Sequence, residues 1–254
     1  MLVNHFNAIM ISITSTMLLL MAFTLTSSYQ NSHVAAQNSF VDYKESKMPE
    51  LRYYQDYKEL VANPKTAVVY PIFTQNAYEW GGIHDFYAGY CNSCLGNPIH
   101  TTYEKTYAAS GNGFRILEFL GYQVIDDIDI DKNPQILDQF DKVILLHSEF
   151  VTKTEFDALM AHKKVVYLYP GSLSSEIAVD YTKNLMTLVR GPSYPDSNIK
   201  NGFDWEHDNT QFFTDWDCNS WKFLTVKNGY MLNCYPETFL PNDGYELLKA
   251  LKSL

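Results

Sequence analysis

The stretch Lys142–Tyr169, KVILLHSEFVTKTEFDALMAHKKVVYLY, decides the fold of this chain. Its two ends, KVILLH and KVVYLY, are short apolar runs with no polar face. Such runs are typical of strands that are buried on both sides. Between them, Thr152 and Glu155 have the spacing of a capping box that begins a helix over residues 153–162. A helix between two such strands predicts a parallel sheet with right-handed crossovers.

The same alternation of apolar runs and helical patterns continues on both sides of this stretch. A helix is predicted over Ser110–Leu120, with Ser110 as its N-cap and Gly121 after its end. Further strands of the parallel sheet are predicted over Ala67–Phe73, Tyr122–Ile125 and Met186–Val189.

The end of the chain has a different pattern. Trp221–Val226 and Tyr230–Tyr235 flank Asn228-Gly229, which predicts a hairpin with a type I′ turn at the sheet edge. Asn242–Leu254 is predicted to form a closing helix. We therefore expect one α/β domain over residues 49–254. Its mainly parallel sheet, flanked by helices, would be flavodoxin-like or class I glutamine amidotransferase-like, with a C-terminal antiparallel hairpin.

The first residues of the chain indicate export. Residues 8–25, AIMISITSTMLLLMAFTL, carry no charge and have about the length of a thin transmembrane helix. Residues 1–28 are therefore predicted to be a signal peptide or an N-terminal membrane anchor, with cleavage and retention both open. Residues 29–48 are polar and aperiodic, which is typical of a flexible tether. The rest of the chain would then lie outside the cytoplasm, secreted or held at the cell membrane.

Charge and cysteines narrow the class of protein further. The net charge of −10 argues against nucleic acid and against an anionic membrane surface as partners. A small molecule or a cell-surface component remains as a partner, together with the membrane if residues 1–28 are retained.

An even number of cysteines outside the cytoplasm favours two disulfides. Cys218 and Cys234 are predicted to pair, whereas Cys91-x-x-Cys94 suits a small disulfide, half of a metal site or a redox-active pair.

Polar side chains cluster where the predicted parallel strands end. Ligands of such sheets bind beyond the carboxyl ends of the strands, so these side chains are the candidate site. The candidate catalytic residues, chosen as acid, base or metal ligands, are His147, Glu149, His84 and Asp85. The candidate ligand-binding residues are Tyr78, Glu79, Tyr169, Glu176 and Arg190.

Structural roles are open alternatives for several of these residues. Glu149 would suit a helix cap, and His147 a hydrogen bond to a neighbouring loop. His84 and Asp85 would suit the stabilisation of a long aromatic loop. Arg190 and Glu176 would suit either a carboxylate ligand or a simple salt bridge.

Several catalytic signatures are missing from the sequence. Neither Gly-x-Ser-x-Gly nor Gly-x-Cys-x-Gly occurs, so the nucleophile elbow of hydrolases and amidotransferases is absent. No glycine-rich phosphate loop follows the first strand, and His-Glu-x-x-His is absent. The acidic run Asp126–Asp131, DDIDID, lacks the glycine and distal glutamate of a calcium loop, and is predicted to be solvated. The sequence assigns no metal and no cofactor.

Two resemblances accompany these patterns. PIFTQNAYEWGGIHDFY, DKVILLHSEFVT, VVYLYPGSLSSEI, NGFDWEHDN and MLNCYPE resemble a family of uncharacterised exported proteins of ammonia-oxidising archaea over most of residues 67–240. More distantly, LLHSEFVTKTEFDALMAH resembles the His-Pro-Glu-Tyr segment of the amidotransferase-like C-terminal domain of N,N-dimethylformamidase large subunits. His147 and Glu149 fall on the His and Glu of that segment, while Ser148 replaces the Pro and Phe150 the Tyr. That family hydrolyses an amide with iron held by tyrosines and a glutamate.

The sequence thus leaves two functions. The first is an exported binding module whose amidotransferase-like fold lacks the nucleophile. The second is an extracytoplasmic hydrolase of a small amide or sugar that uses a His and a Glu, with or without a metal. The missing elbow favours the first, and the polar edge of the sheet supports the second.

Overall fold

A six-stranded sheet forms the centre of the fold in the computed structural model, which describes residues 59–206 and 215–254. Its strands are β1 (Thr66–Tyr70), β3 (Gln123–Asp126), β4 (Lys142–Leu145), β6 (Val165–Tyr167), β9 (Phe223–Val226) and β10 (Gly229–Leu232). A four-stranded sheet contains β2 (Gly96–Pro98), β5 (Phe150–Thr152), β7 (Ser175–Asp180) and β8 (Leu185–Arg190). The α-helices are α1 (Ile72–Ala77), α2 (Ile83–Tyr87), α3 (Gly111–Phe119), α4 (Asp127–Lys132), α5 (Lys153–Ala161), α6 (Leu240–Asp243) and α7 (Tyr245–Ser253). A 3₁₀ helix spans Pro134–Gln139.

The order of the central strands is β3-β1-β4-β6-β10-β9. Every neighbouring pair is parallel except β10 and β9, which form the antiparallel hairpin at one edge. The prediction of a mainly parallel sheet with a C-terminal hairpin is therefore confirmed. The parallel strands follow the order 2-1-3-4-5 of flavodoxin-like folds, and the order reverses between β1 and β4.

Burial on both faces explains why the parallel strands have continuous apolar sequences. All five residues of β1 are buried. On one face, Val68 and Tyr70 belong to a cluster that includes Phe114 of α3 and residues of α7. On the other face, Ala67 and Val69 join a cluster with residues of α4 and α5. Helices therefore cover both faces of the sheet, as its apolar strands require.

The first strand is shorter than predicted. It ends at Tyr70, and Ile72 and Phe73 begin α1 after Pro71. The side chain of Asp127 accepts a hydrogen bond from the Phe73 N–H at 2.8 Å, which satisfies one of the free N–H groups at the start of that helix. The apolar pattern alone could not distinguish a buried helical turn from a longer strand.

The predicted fifth strand lies in the second sheet. β8 pairs antiparallel with β7 and with β2, and the fifth parallel position is occupied by β10 beside β6. The exposure of β8 alternates along the strand, as expected for a sheet with one solvated face. Arg190 ends β8, so its predicted position at the carboxyl edge of the parallel sheet is wrong.

The hairpin has a different turn from the predicted one. Val226 pairs with Gly229, so Lys227 and Asn228 form the loop, and neither is among the described residues with positive φ. A type I′ turn requires positive φ at both loop positions, so that prediction is wrong. Gly229 lies in β10, where a Cβ would collide with the main chain of Val165.

Two of the predicted helices are present at about the predicted positions, and the third is divided into two helices. Thr152 caps α5 by accepting a hydrogen bond from the Glu155 N–H at 3.1 Å. Ser110 precedes α3 with φ of 55° but makes no side-chain cap. The closing helix consists of α6 and α7, which Gly244 separates.

The acidic run is a structured element, so its prediction as a solvated segment is wrong. Asp126 caps α4 by accepting a hydrogen bond from the Asp129 N–H at 2.9 Å, and the Asp129 side chain accepts from the Asp126 N–H in return. Asp127, the next residue, is fully buried.

The predicted Cys218–Cys234 disulfide is confirmed, and Cys91 and Cys94, for which three roles were open, also form a disulfide. Cys218 and Cys234 are joined with Cα atoms 5.2 Å apart, and Cys91 and Cys94 with Cα atoms 5.5 Å apart. Within the described residues, no helix combines the length and the apolar character that crossing a bilayer would need. The predicted signal or anchor over 1–28 and the tether over 29–48 lie outside the described residues.

Candidate functional site

The candidate site lies where the strand order reverses. Tyr78 directly follows α1, the helix that comes after β1. His147 and Glu149 follow β4. The Tyr78 hydroxyl donates a hydrogen bond to Glu149 Oε2 at 2.8 Å. His147 Nε2 lies 3.6 Å from the same oxygen. The Glu149 side chain is 20% exposed and that of His147 9%, so both side chains are largely withdrawn from water while part of Glu149 remains at the surface.

The orientation of His147 is fixed from two sides. Its main-chain N–H donates a hydrogen bond to Ser110 Oγ at 2.9 Å. Its ring atom Nδ1 lies 2.8 Å from the Ala108 carbonyl oxygen. Because a carbonyl only accepts, Nδ1 carries the proton, and Nε2 presents a lone pair towards Glu149. Burial lowers the pKa of His147 to about 4, against a smaller opposing effect of the Ala108 carbonyl. The imidazole is therefore neutral at pH 7.

Glu149 is held without capping a helix. Its N–H donates to Thr74 Oγ1 at 2.8 Å, and β5 follows it in the chain, so the alternative of a helix cap is wrong. Burial raises the pKa of Glu149, while the hydrogen bond from Tyr78 and the nearby His84 act in the opposite direction. Burial and the charge of Glu149 also raise the pKa of the Tyr78 phenol, so Tyr78 stays a hydrogen-bond donor.

His84 joins this group and Asp85 does not. The His84 ring stacks on Tyr78 with ring centroids 4.0 Å apart and an angle of 23° between the planes. The Asp85 carboxylate instead accepts a hydrogen bond from the Gly81 N–H at 2.8 Å, which stabilises the turn before α2. Of the predicted catalytic residues, the structure therefore brings His147, Glu149 and His84 together, with Tyr78 between them.

The other predicted binding residues lie in separate places. Glu79 pairs with His100 at 3.6 Å on the surface. Arg190 and Glu176 are opposite each other on β8 and β7, but the Arg190 guanidinium pairs with Asp204 at 2.6 Å. Arg190 thus forms its salt bridge with Asp204 and not with Glu176.

Tyr169 lies behind the site and is fully buried. Its hydroxyl donates to Glu237 Oε2 at 2.6 Å, and Glu237 also accepts from the Asn112 N–H at 2.6 Å. Burial raises the pKa of Glu237 to about 7. Sequence analysis missed Glu237 because it follows the hairpin, far from α3 in the chain, and no spacing pattern links the two.

The turn after β4 presents no nucleophile. The Ser148 hydroxyl is fully buried, and it has no hydrogen-bond partner among the residues that the structure describes. Buried in this way it cannot meet a substrate, and His147 Nε2 faces Glu149. This geometry agrees with the absence of a nucleophile elbow from the sequence.

The iron site implied by the N,N-dimethylformamidase resemblance does not fit these residues. Phe150 has no oxygen where that family has a tyrosine, and its side chain is fully buried. In the part of the chain that the structure describes, no three His, Cys, Asp or Glu side chains are grouped so that they could hold a metal ion.

Comparisons with known proteins add no name to this site. A scan of protein-family models finds no match to the chain, and no curated protein matches it. The two resemblances drawn from the sequence therefore stay predictions, and any function has to be argued from the residues themselves.

Proposed function

We propose that this chain is an exported or membrane-anchored module that binds a small polar molecule at Tyr78, His84, His147 and Glu149. One observation carries the proposal. Two hydrogen-bond acceptors, Glu149 Oε2 and His147 Nε2, face each other at the accessible edge of the sheet, while the only hydroxyl of that turn, Ser148, is buried. The position between β1 and β4 is where flavodoxin-like folds bind ligands.

The predicted location outside the cytoplasm has independent support. Two disulfides are compatible with an oxidising compartment, and the net charge of −10 suits a soluble surface. The membrane, if residues 1–28 are retained, would then serve only as an attachment point.

A binding screen tests the proposal. The full chain, produced with its disulfides, is screened by thermal shift and native mass spectrometry against small amides, sugars and amines. Glu149→Gln keeps the size of the side chain and removes its charge, so it should weaken a true ligand by about tenfold or more. Glu246→Gln, an exposed glutamate of α7, makes the same change in net charge and should leave binding intact. Ligands that bind equally well to the Glu149→Gln protein would contradict this site.

The hydrolase remains the second candidate because of the same pair of residues. The lone pair of His147 Nε2 lies beside a carboxylate, an arrangement that can orient and deprotonate a water molecule. Incubation of each ligand from the screen with the protein separates the two functions. Catalytic turnover that Glu149→Gln abolishes would favour the hydrolase, whereas stoichiometric binding without product would favour the binding module.

A further inference from the structure

The charge balance of the site indicates which chemistry its ligand has. His147 Nε2 and Glu149 Oε2 are both acceptors and lie 3.6 Å apart, because the only ring proton of His147 is directed at Ala108. Two facing acceptors repel unless a proton or a donor group lies between them. A neutral hydroxyl has one proton to give, whereas a protonated amine has up to three.

Among the described residues, no lysine or arginine pairs with the Glu149 carboxylate. Tyr78 donates the hydrogen bond to its Oε2, and His84 is the one basic side chain among the described residues that lowers its pKa through charge. A carboxylate that is largely withdrawn from water is costly unless a positive charge or several donors accompany it. An anionic ligand would add a second negative charge at this point.

Gly171 keeps a side chain away from the imidazole. Gly171 adopts φ of 82°, and a Cβ built on it would come within 3.1 Å of His147 Nε2. The absence of that atom leaves the lone pair of Nε2 less crowded. The aromatic rings of Tyr78 and Tyr235 lie at either side of the imidazole, with centroids 5.7 Å and 5.6 Å from it. An aromatic face attracts a cation and repels an anion, so rings next to the imidazole are compatible with a cationic ligand.

We propose that the ligand of this site is a cationic primary amine, whose N–H groups donate to both Glu149 Oε2 and His147 Nε2. This inference rests on the proposed binding function and deepens it. A hydroxyl and an ammonium group can both make a charge-assisted hydrogen bond to the carboxylate, but only the ammonium also brings a positive charge and a second donor for His147, so it is preferred.

Amine binding is linked to protons in a defined direction. The titratable groups that face Glu149 are Tyr78 after α1, His84 and Tyr87 on α2, and His147 after β4. Burial raises the pKa of free Glu149, and a bound cation lowers it again. The amine therefore displaces a proton, and its affinity rises with pH through the pKa of free Glu149.

The test follows the histidine ring signals of the full chain by NMR, at constant ionic strength, during titration with four probes. Methylammonium should shift the signals of His147 and His84 and should bind about tenfold more weakly at pH 5 than at pH 8. Tetramethylammonium, which lacks N–H groups, should bind about tenfold more weakly than methylammonium at pH 8. Acetate and glycerol should leave these signals unchanged, and Glu149→Gln should remove the methylammonium response, while Glu246→Gln should keep it.

Three results would overturn the inference: no response to methylammonium, an equal response in the Glu149→Gln protein, or an equal response to glycerol or acetate. Its failure differs from failure of the proposed function. A neutral ligand from the screen that needs Glu149 would overturn the amine and keep the binding module, whereas a site that no ligand occupies would overturn both.

Discussion

Two carboxyl groups on one side of the sheet are buried, and no lysine or arginine among the described residues pairs with them. Asp127 accepts a hydrogen bond from the Phe73 N–H through one oxygen, while its other oxygen has no partner. Both carboxyl oxygens of Glu155 lack a partner as well. Burial raises the pKa of both groups well above the ordinary range, and the charge of Asp127 raises that of Glu155 further. The raised pKa values favour the protonated forms of both carboxyl groups.

Replacing Glu155 with Gln should reduce the pH dependence of stability. A carboxyl whose pKa is raised on folding stabilises the protein fully below its unfolded pKa of about 4.3, and this contribution is lost as pH rises towards the folded value. The free energy of unfolding of the native chain should therefore fall between pH 5 and pH 8. In the Glu155→Gln protein, which cannot ionise there, the fall should be smaller by about 1 kcal/mol or more.

Urea unfolding at both pH values measures this difference. Glu246→Gln removes an exposed carboxyl with the same change in net charge, and should follow the native chain. An identical fall in the native and Glu155→Gln proteins would show that Glu155 is already ionised in the fold.

At the scale of elements, the start of α3 shows how a distant segment replaces a local cap. Ser110 stands at the cap position, but its hydroxyl accepts a hydrogen bond from the His147 N–H. The N–H groups of Asn112 and Gly113 instead donate to the Glu237 carboxylate at 2.6 Å and 3.2 Å. In its ionised form Glu237 also interacts favourably with the dipole of the helix N-terminus. Because Glu237 caps α3, the Ser110 hydroxyl is available to hold the main chain of His147 in the candidate site.

The two disulfides should differ in their contribution to stability. Cys218 and Cys234 are 16 residues apart and fully buried, and the chain-entropy estimate for a loop of this size is about 3 kcal/mol. Cys91 and Cys94 are 3 residues apart and partly exposed, for which the same estimate is under about 2 kcal/mol. Replacing Cys218 and Cys234 with Ser should therefore lower the free energy of unfolding more than the same change at Cys91 and Cys94.

Urea unfolding of the two double variants gives this comparison directly, and each variant serves as the control for the other. Mass mapping of the native chain under non-reducing conditions establishes the starting pairs. An equal loss in both variants, or a larger loss at Cys91 and Cys94, would contradict the loop-length argument.

At the scale of the whole molecule, the sequence predicts those features that depend on burial on two faces. The apolar runs of β1, β4 and β6 identify the parallel sheet, and the rule for its carboxyl edge brings His147, Glu149, Tyr78 and His84 together. The second sheet could not be predicted, because its strands β2 and β5 have three residues each and are too short for a periodic pattern. The pairing of β10 with β6 depends on contacts between segments more than sixty residues apart, which no local pattern contains.

The boundary of the domain gives a prediction for the whole chain. Residues 29–48 lack apolar periodicity, so they should bury little surface, whereas Leu60 is fully buried and the Ala62 N–H donates to the Leu120 carbonyl at 2.8 Å. A chain of residues 49–254 should therefore melt within about 4 °C of a chain of residues 37–254, the shift that about 1 kcal/mol produces at this size. A chain that begins at residue 64 loses Leu60 and Ala62, and should melt at a clearly lower temperature because the core opens beside α3 and α7. Thermal unfolding with intact disulfides gives the melting temperature of each of the three chains. Loss of the fold on removing residues 37–48 alone would contradict this boundary, because part of the core would then lie in the tether.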